Sequence, residues 1–456
     1  MLGPLLQYQS LKTVLLHIDP NTRFRISTHL PSIREVEKRI PLKISSLDMS
    51  KDYRTVVDST SYEVRIIRYH HEGNDPMPIK QDQEWFMSDS DFDEFGFPFN
   101  AGRNVMLPGD VSFQLDNRPE VRKNTEEDER ENIEQLRIYE KAFKKQAELK
   151  SKGITVEDYL KNLGPITDMR NVTAFEEIGM RRALMYSPCL LSGCIEDYKL
   201  NLIPFDCRRN NTKRPFTCYI QLVVTKGDRR QIQRFEYSKK LFEVCKSLHE
   251  AFFGRRTVPI QVGRLVLSRY ETIHRLPTGF RVHANHVHTS HYTLTHESFL
   301  SLVENSENLE SIEMWNSGRW NAFGTKAVRR SKRLVIRHSV TFVMQRLTEV
   351  IRHLPNLEIT IENLSCSPEE IFTLIQAWLS ANRPVGASCC IAMEDEKTAE
   401  KTLRFVQTQY ERTKWTNRCV TIQTTNFTRV YLFYVPFTPP RKYTSKGILK
   451  TRIVKI

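Results

Sequence analysis

The apolar positions change their rhythm along the chain. Near its start, Leu11, Val14, Leu15 and Ile18 fall at i, i+3, i+4 and i+7. A helix from about residue 9 then presents one apolar stripe and leaves Lys12, Thr13 and His17 to water. Pro20 ends this helix, because proline lacks a backbone N–H and fixes φ. Asp19 and Asn21 flank it as caps for a second helix reaching His29. Ser32 and Glu35 form a capping-box pair, which predicts a third helix carrying Ile33, Val36 and Ile40 on one face until Pro41 stops it.

The period then shortens. Residues 60–68 alternate as a strand with Tyr62, Val64 and Ile66 on one face. From about residue 70 to 119 Pro, Gly, Asp and Asn mix with isolated aromatics, and the acidic and aromatic run at 91–99 reads as a flexible surface insertion. Asn124 and Thr125 offer caps for a charged helix to about residue 150, with Ile133, Leu136, Phe143 and Ala147 as a narrow stripe. Residues 198–203 and 217–225 read as strands, the second turning through Lys226-Gly227-Asp228 into 229–237 as a hairpin. A helix capped by Ser238 buries Leu241, Val244, Cys245, Leu248 and Phe252, and 262–267 is again a strand.

Strands and helices alternate from there. Candidate strands are 311–314, 333–337, 357–361, 386–393, 419–423 and 429–435. A helix at 341–354 carries Val343, Leu347, Val350, Ile351 and Leu354, and Ser367-Pro368-Glu369-Glu370 is a strong start signal for the next. Strand-to-strand steps of roughly 23 to 30 residues suggest irregular leucine-rich-repeat-like units, two or three of them closing a curved sheet. A mixed α/β sandwich is the alternative. The expected fold class is therefore α+β. A helical unit at 1–47 precedes a strand, insertion and charged helix at 48–183, an α/β domain at 184–435, and a basic, Pro-containing tail at 436–456 that is expected to fray.

Composition narrows the picture. The chain of 456 residues, 39% hydrophobic, has room for a sizeable core. Lys and Arg exceed Asp and Glu by 68 to 54, for a net charge of +14, which favours an acidic partner without naming one. No apolar run approaches a membrane span and the start lacks the form of a secretory signal, so a cytoplasmic or nuclear location without membrane contact is expected. Nine scattered cysteines without a CxxC agree with that compartment, and Cys389-Cys390 are expected on opposite faces of a strand. Neither a phosphate-cradling glycine motif nor HExxH nor GxSxG occurs, and no catalytic residue or cofactor is assigned.

Two constellations carry chemistry. His283, His286, His288, His291 and His296 crowd one segment, but no Cys, Asp or Glu completes them at zinc spacing, so no metal is assigned. Basic clusters at 208–214, 229–230, 255–256, 329–333 and 441–442 read as solvated turns; a nucleic-acid groove demands aromatics among the charges, and Phe216, Tyr219, Phe235 and Tyr237 come closest.

The first helices also carry a resemblance. Pro4-Leu5 ahead of a short amphipathic helix, then a second helix and the Leu-Pro-Ser-Ile-Arg step at 30–34, resemble a divergent F-box without the tryptophan that pattern has near the end of its third helix. With Val36 to Lys43 and the long block beyond, the chain is similar to the large nematode group of F-box-like proteins with a C-terminal domain of unknown function. The resemblance implies a substrate adaptor that is not itself an enzyme. Its N-terminal unit docks on the adaptor subunit of a cullin–RING ubiquitin ligase, and its C-terminal domain holds an unidentified target protein. The implied docking contacts are Pro4, Leu5, Leu11, Val14, Leu15, Ile26, Leu30, Pro31 and Ile33. The alternative is a nucleic-acid-binding or general interaction module with no ligase role.

Overall fold

The computed structural model describes residues 8–70, 88–113, 124–164, 172–267, 273–316, 320–338, 344–362, 366–393, 395–410, 413–416, 418–423, 428–436 and 447–455. Pro4, Leu5 and Val343 lie outside them. Three short helices, α1 (Tyr8–His17), α2 (Pro20–His29) and α3 (Pro31–Lys38), lead into strands β1 (Lys43–Lys51), β2 (Arg54–Val57) and β3 (Thr60–His70). Small strands β4 (Asp91–Phe92), β5 (Pro98–Phe99) and β6 (Val111–Ser112) precede four helices, α4 (Glu126–Ser151), α5 (Val156–Asn162), α6 (Val172–Leu184) and α7 (Pro188–Arg209). The hairpin of β7 (Phe216–Lys226) and β8 (Arg229–Glu236) follows, then α8 (Leu241–Phe253).

The rest alternates strands and helices as the periodicity predicts, with β11, β16 and β19 as strands that the spacing does not single out. Strands β9 (Ile260–Leu267), β11 (Val282–Ser290), β12 (Ser311–Asn316), β13 (Arg333–His338), β14 (Glu358–Glu362) and β15 (Ser388–Met393) pair in parallel, each with the next, while β10 (Ile273–His274) pairs with β6. Between them run α9 (His291–Thr295), α10 (Glu297–Leu302), α11 (Lys326–Arg330), α12 (Met344–His353) and α13 (Pro368–Leu379), and α14 (Glu396–Thr408) follows β15. The chain closes with β16 (Thr413–Thr416), β17 (Cys419–Gln423), β18 (Thr428–Pro436) and β19 (Gly447–Lys455). All large strands join one 15-stranded mixed sheet, ordered β16-β17-β18-β19-β15-β14-β13-β12-β11-β9-β1-β2-β3-β7-β8.

One apolar row runs across its parallel centre. Leu47, Leu265, Val287, Ile312, Leu334, Ile359 and Cys389 stand side by side in register, each at most 1% exposed. The core positions step by three and then by two, as in Ile44/Leu47/Met49, Val262/Leu265/Leu267 and Leu309/Ile312/Met314, rather than in strict alternation. Gly263 sits at the step of three, where a Cβ would lie 2.6 Å from the Ser45 carbonyl oxygen of the neighbouring strand. Asparagine side chains tie successive turns. Asn305 donates to the Ala284 carbonyl at 2.7 Å and accepts from its N–H at 2.9 Å, while Asn356 donates to the Val328 and Ser331 carbonyls, both at 2.7 Å. Residues of α2, α8 and α10 to α14 share one core with these strands, so the helices cover a single face of the parallel run.

Several expectations give way to packing. Residues 198–203 are helical, inside α7, whose start is set by the Ser187 cap with Pro188 in the first turn and whose Leu191, Leu200 and Phe205 turn inward. The third helix begins at Pro31 with Leu30 as its cap residue and no side-chain cap, so the Ser32–Glu35 box is not used. The acidic and aromatic run is packed: Phe92 and Phe97 are buried, Phe97 meets the Phe205 ring edge-on at 4.8 Å, and the Asp93 carboxylate accepts from three successive N–H groups at 95–97. Residues 447–455 of the tail do not fray, because β19 lies between β18 and β15 with Leu449 and Thr451 buried; 437–446 lie outside the described residues. The capping boxes at Thr125 and Ser367 form as read. The sheet holds seven parallel strands where two or three units were expected.

The N-terminal helices are bolted to this frame by charge. Glu37, fully buried, accepts from Arg23 Nε and Arg256 Nη2, each at 2.9 Å, and the Arg23 guanidinium also donates to the Ile40 and Pro41 carbonyls. Lys38 Nζ donates to the Ala251 and Phe252 carbonyls at the end of α8, and burial pushes its pKa down to about 8. Phe24 stacks on Phe252 at 4.4 Å, and strand β1, which spans residue 47, carries the chain straight from these helices into the sheet. Glu37→Ala removes the only anion in contact with Arg23 and Arg256 among the described residues and leaves buried cations facing one another. It is expected to destabilise the protein by about 3–5 kcal/mol, read as a lowered urea midpoint.

Two histidines make the frame acid-sensitive. His249 accepts from Thr55 at Nε2 and donates from Nδ1 to the Arg275 carbonyl, both at 2.6 Å, and burial pushes its pKa down to about 4. Burial, then the neighbouring His249, pushes His274 down to about 4 as well, and its Nε2 has no partner among the described residues. Between about pH 6.5 and 4 the unfolded chain takes up protons that these folded rings refuse. Their contribution is present above pH 6.5 and is lost as pH falls through that window, by roughly 3 kcal/mol per histidine. Urea midpoints measured from pH 7 to 4 are expected to fall less steeply for His274→Phe than for the parent.

Candidate functional site

The face of the parallel sheet turned away from the helices carries the densest polar constellation. Alternation sends Arg264 of β9, His288 of β11, Glu313 and Trp315 of β12, Arg337 of β13 and Glu362 of β14 to that side. Trp315 Nε1–H donates to His288 Nε2 at 2.9 Å, and His288 Nδ1 lies 3.3 Å from Arg264 Nη2 and 3.6 Å from a Glu313 oxygen. Arg337 bridges both carboxylates, reaching Glu313 at 2.8 Å and Glu362 at 2.7 Å, with its guanidinium 5.8 Å from the Trp315 ring centre. Arg264 completes the set, 3.3 Å from Glu313. These charges are matched among themselves. The arrangement offers an oriented aromatic plane within a fixed pattern of donors and acceptors, which suits recognition of a polar surface.

Of the clustered histidines, His286 and His288 do share the outer face, with His286 Nδ1 2.8 Å from the Ser311 hydroxyl. His283 is exposed, His291 opens α9, and His296 accepts from the Ser298 N–H to cap α10. Among the described residues no group of three or more His, Cys, Asp or Glu is placed to hold a metal. Cys389 faces the core and Cys390 the outer side, as the strand spacing predicts. Burial pushes the Cys245 and Cys366 thiols up to about 12, and Cys389 also upward, so these thiols stay protonated.

The implied docking residues divide sharply. Val14 is 45% and Leu30 49% exposed, Pro31 is exposed, and Leu11, Ile26 and Ile33 are half-buried. Leu15 is 1% exposed and packs inward, so the stripe read from its spacing serves two directions: Leu15 holds the unit together and Val14 faces out. Tyr8 and Leu16 are also exposed, at 51% and 40%.

A separate cleft of about 510 Å³ lies where α4 and α7 meet the 88–98 segment. Arg68 lines it, held between the Phe92 and Phe216 rings at 5.4 and 5.6 Å, with Asn132, Gln135, Tyr198 and Asn201 opposite. Neither this cleft nor the Trp315–Arg337 pair is visible from local spacing, because their members come from elements far apart in sequence. Placing the strands in one h-x-x-h-x-h frame is the signal that aligns His288, Glu313 and Val335 across three neighbours. Among the described residues no helix is long and apolar enough to cross a membrane.

Residues 240–395 match the family described as "Domain of unknown function (DUF3557)". The match runs from the cap of α8 to the cap of α14, so it takes in β9 to β15 and the whole Arg264–Glu362 constellation and leaves out the N-terminal helices and β16 to β19. No curated protein and no solved structure matches the chain.

Proposed function

We propose that the chain is a non-catalytic substrate adaptor of a cullin–RING ubiquitin ligase, with the N-terminal helices as a divergent F-box docking on the ligase's adaptor subunit. The observation that carries this reading is the exposure of two large apolar side chains named by the resemblance, Val14 at 45% and Leu30 at 49%. They stand on a helical unit whose Leu15 and Phe24 are already buried, Phe24 against Phe252 of α8. Large apolar side chains left in water on a rigidly bolted unit are what a docking face requires. In this reading the parallel strands are irregular leucine-rich-repeat-like turns. The shared core frame, the steps of 22 to 30 residues between in-register core positions, and the asparagine ties support it. The outer face around Trp315 and Arg337 then holds a target protein while partner subunits supply catalysis.

The test is co-purification of the full chain from cells with degradation blocked. Recovery of the adaptor subunit and cullin is expected, falling at least about tenfold for the double variant Val14→Asp, Leu30→Asp with thermal unfolding unchanged. Recovery of neither subunit, or equal recovery by the variant, overturns the proposal.

A further inference from the structure

The charge of this chain is not spread evenly. Residues 412–456 contain ten Lys or Arg and not one Asp or Glu, so most of the net +14 sits in a tenth of the length. Six of these ten, Lys414, Arg418, Arg429, Lys450, Arg452 and Lys455, lie among the described residues, in or between the antiparallel strands β16 to β19 at one end of the sheet. Val420, Ile422, Val430, Leu432 and Leu449 are buried in the core that also holds Leu403 and Val406 of α14, and alternation therefore sends their neighbours to the outer face. Two rows result. Lys414, Thr421, Tyr431 and Arg452 stand side by side in register, and so do Thr416, Cys419, Phe433 and Lys450; Arg429 lies beside them, two residues before Tyr431.

Three features distinguish this patch from the rest of the outer face. The first is its cations: Lys414, Arg429, Lys450 and Arg452 make no ion pair among the described residues, whereas Arg264, Arg333 and Arg337 farther along are matched by Glu313, Glu358 and Glu362. The next acid in the Arg452 row is Glu358, two strands and about 10 Å away. The second is its aromatics. Tyr431 and Phe433, half-exposed, lie two residues apart on β18, about 7 Å along one strand, with cations on both sides. The third is its shape, since four pleated strands form an open platform rather than a cleft.

We propose that the outer face of β16 to β19 binds single-stranded nucleic acid, with Tyr431 and Phe433 stacking on two successive bases and Lys414, Arg429, Lys450 and Arg452 taking the phosphates. The pairing of unmatched cations with flat rings decides the partner class. A lipid surface or an acidic peptide uses the charges but has no planar group for the rings, and a duplex keeps its bases stacked on each other. This surface lies outside the matched family region and is independent of the N-terminal docking face.

The test is fluorescence anisotropy of the full chain with labelled 12-nucleotide single-stranded RNA and DNA and a 12-base-pair DNA duplex, across a salt series. The expected result is tighter binding of the single strands than of the duplex. Tyr431→Ala with Phe433→Ala is expected to weaken it by about tenfold or more, and Tyr431→Phe to preserve it. Lys450→Gln with Arg452→Gln is expected to reduce the slope of log affinity against log salt by about 1.4. Thermal unfolding of each variant checks that the sheet is intact. The proposal is overturned by absence of binding at low salt, by affinity that survives both double variants, or by a response to charge removal alone, with equal binding of polyglutamate or anionic vesicles.

Discussion

The fold depends on the constraint that parallel strands impose on their connections. Two parallel neighbours cannot be joined by a tight turn, so each pair from β9 to β15 requires a crossover long enough to return the chain to the same end. Here the helices of those crossovers pack on one side, where the row from Leu47 to Cys389 receives them. The other side carries the Arg264–Glu362 constellation. That division, one face packed against helices and one not, follows from adding each strand on the same edge of the sheet with crossovers of one hand.

The N-terminal helices are drawn into the same scheme. They could have been a detached unit on a linker, yet β1 enters the sheet beside β9, and the Glu37 carboxylate between Arg23 and Arg256 closes the joint. Burial makes this joint demanding, because each charge there is tolerable only in the presence of its partners. A rigid joint also fixes the direction in which Val14 and Leu30 point relative to the outer face. In the adaptor role proposed above, such a joint sets the distance between a held target and a bound ligase.

Electrostatics divides the outer face itself. In the centre, Arg337 links Glu313 and Glu362 and the Trp315–His288 hydrogen bond orients both rings, so polar groups are spent on one another. At the end, where the strands turn antiparallel, the cations around Tyr431 and Phe433 make no ion pair among the described residues. A sheet that balances its charges in one half and leaves them unbalanced in the other presents two different surfaces to solution.

Much of this was legible in the residues. The strands β12 to β15, β17 and β18, the β7–β8 hairpin and the capped helices at Thr125 and Ser367 follow from local spacing, because periodicity, caps and turn glycines act over a few residues. Residues 198–203 misled because a short run alternating apolar and polar also fits a helix, and only the Ser187–Pro188 start and the partners of α7 decide between them. The tail at 447–455 looked loose because its value lies in a slot between β15 and β18 that exists only in the folded sheet. By itself the sequence determined most of the elements and the concentration of charge at the end of the chain. The tertiary structure alone decided which side of each strand meets helices and which meets water, and so that Leu15 packs while Val14 is free. Facing is set by long-range register, which no local pattern encodes.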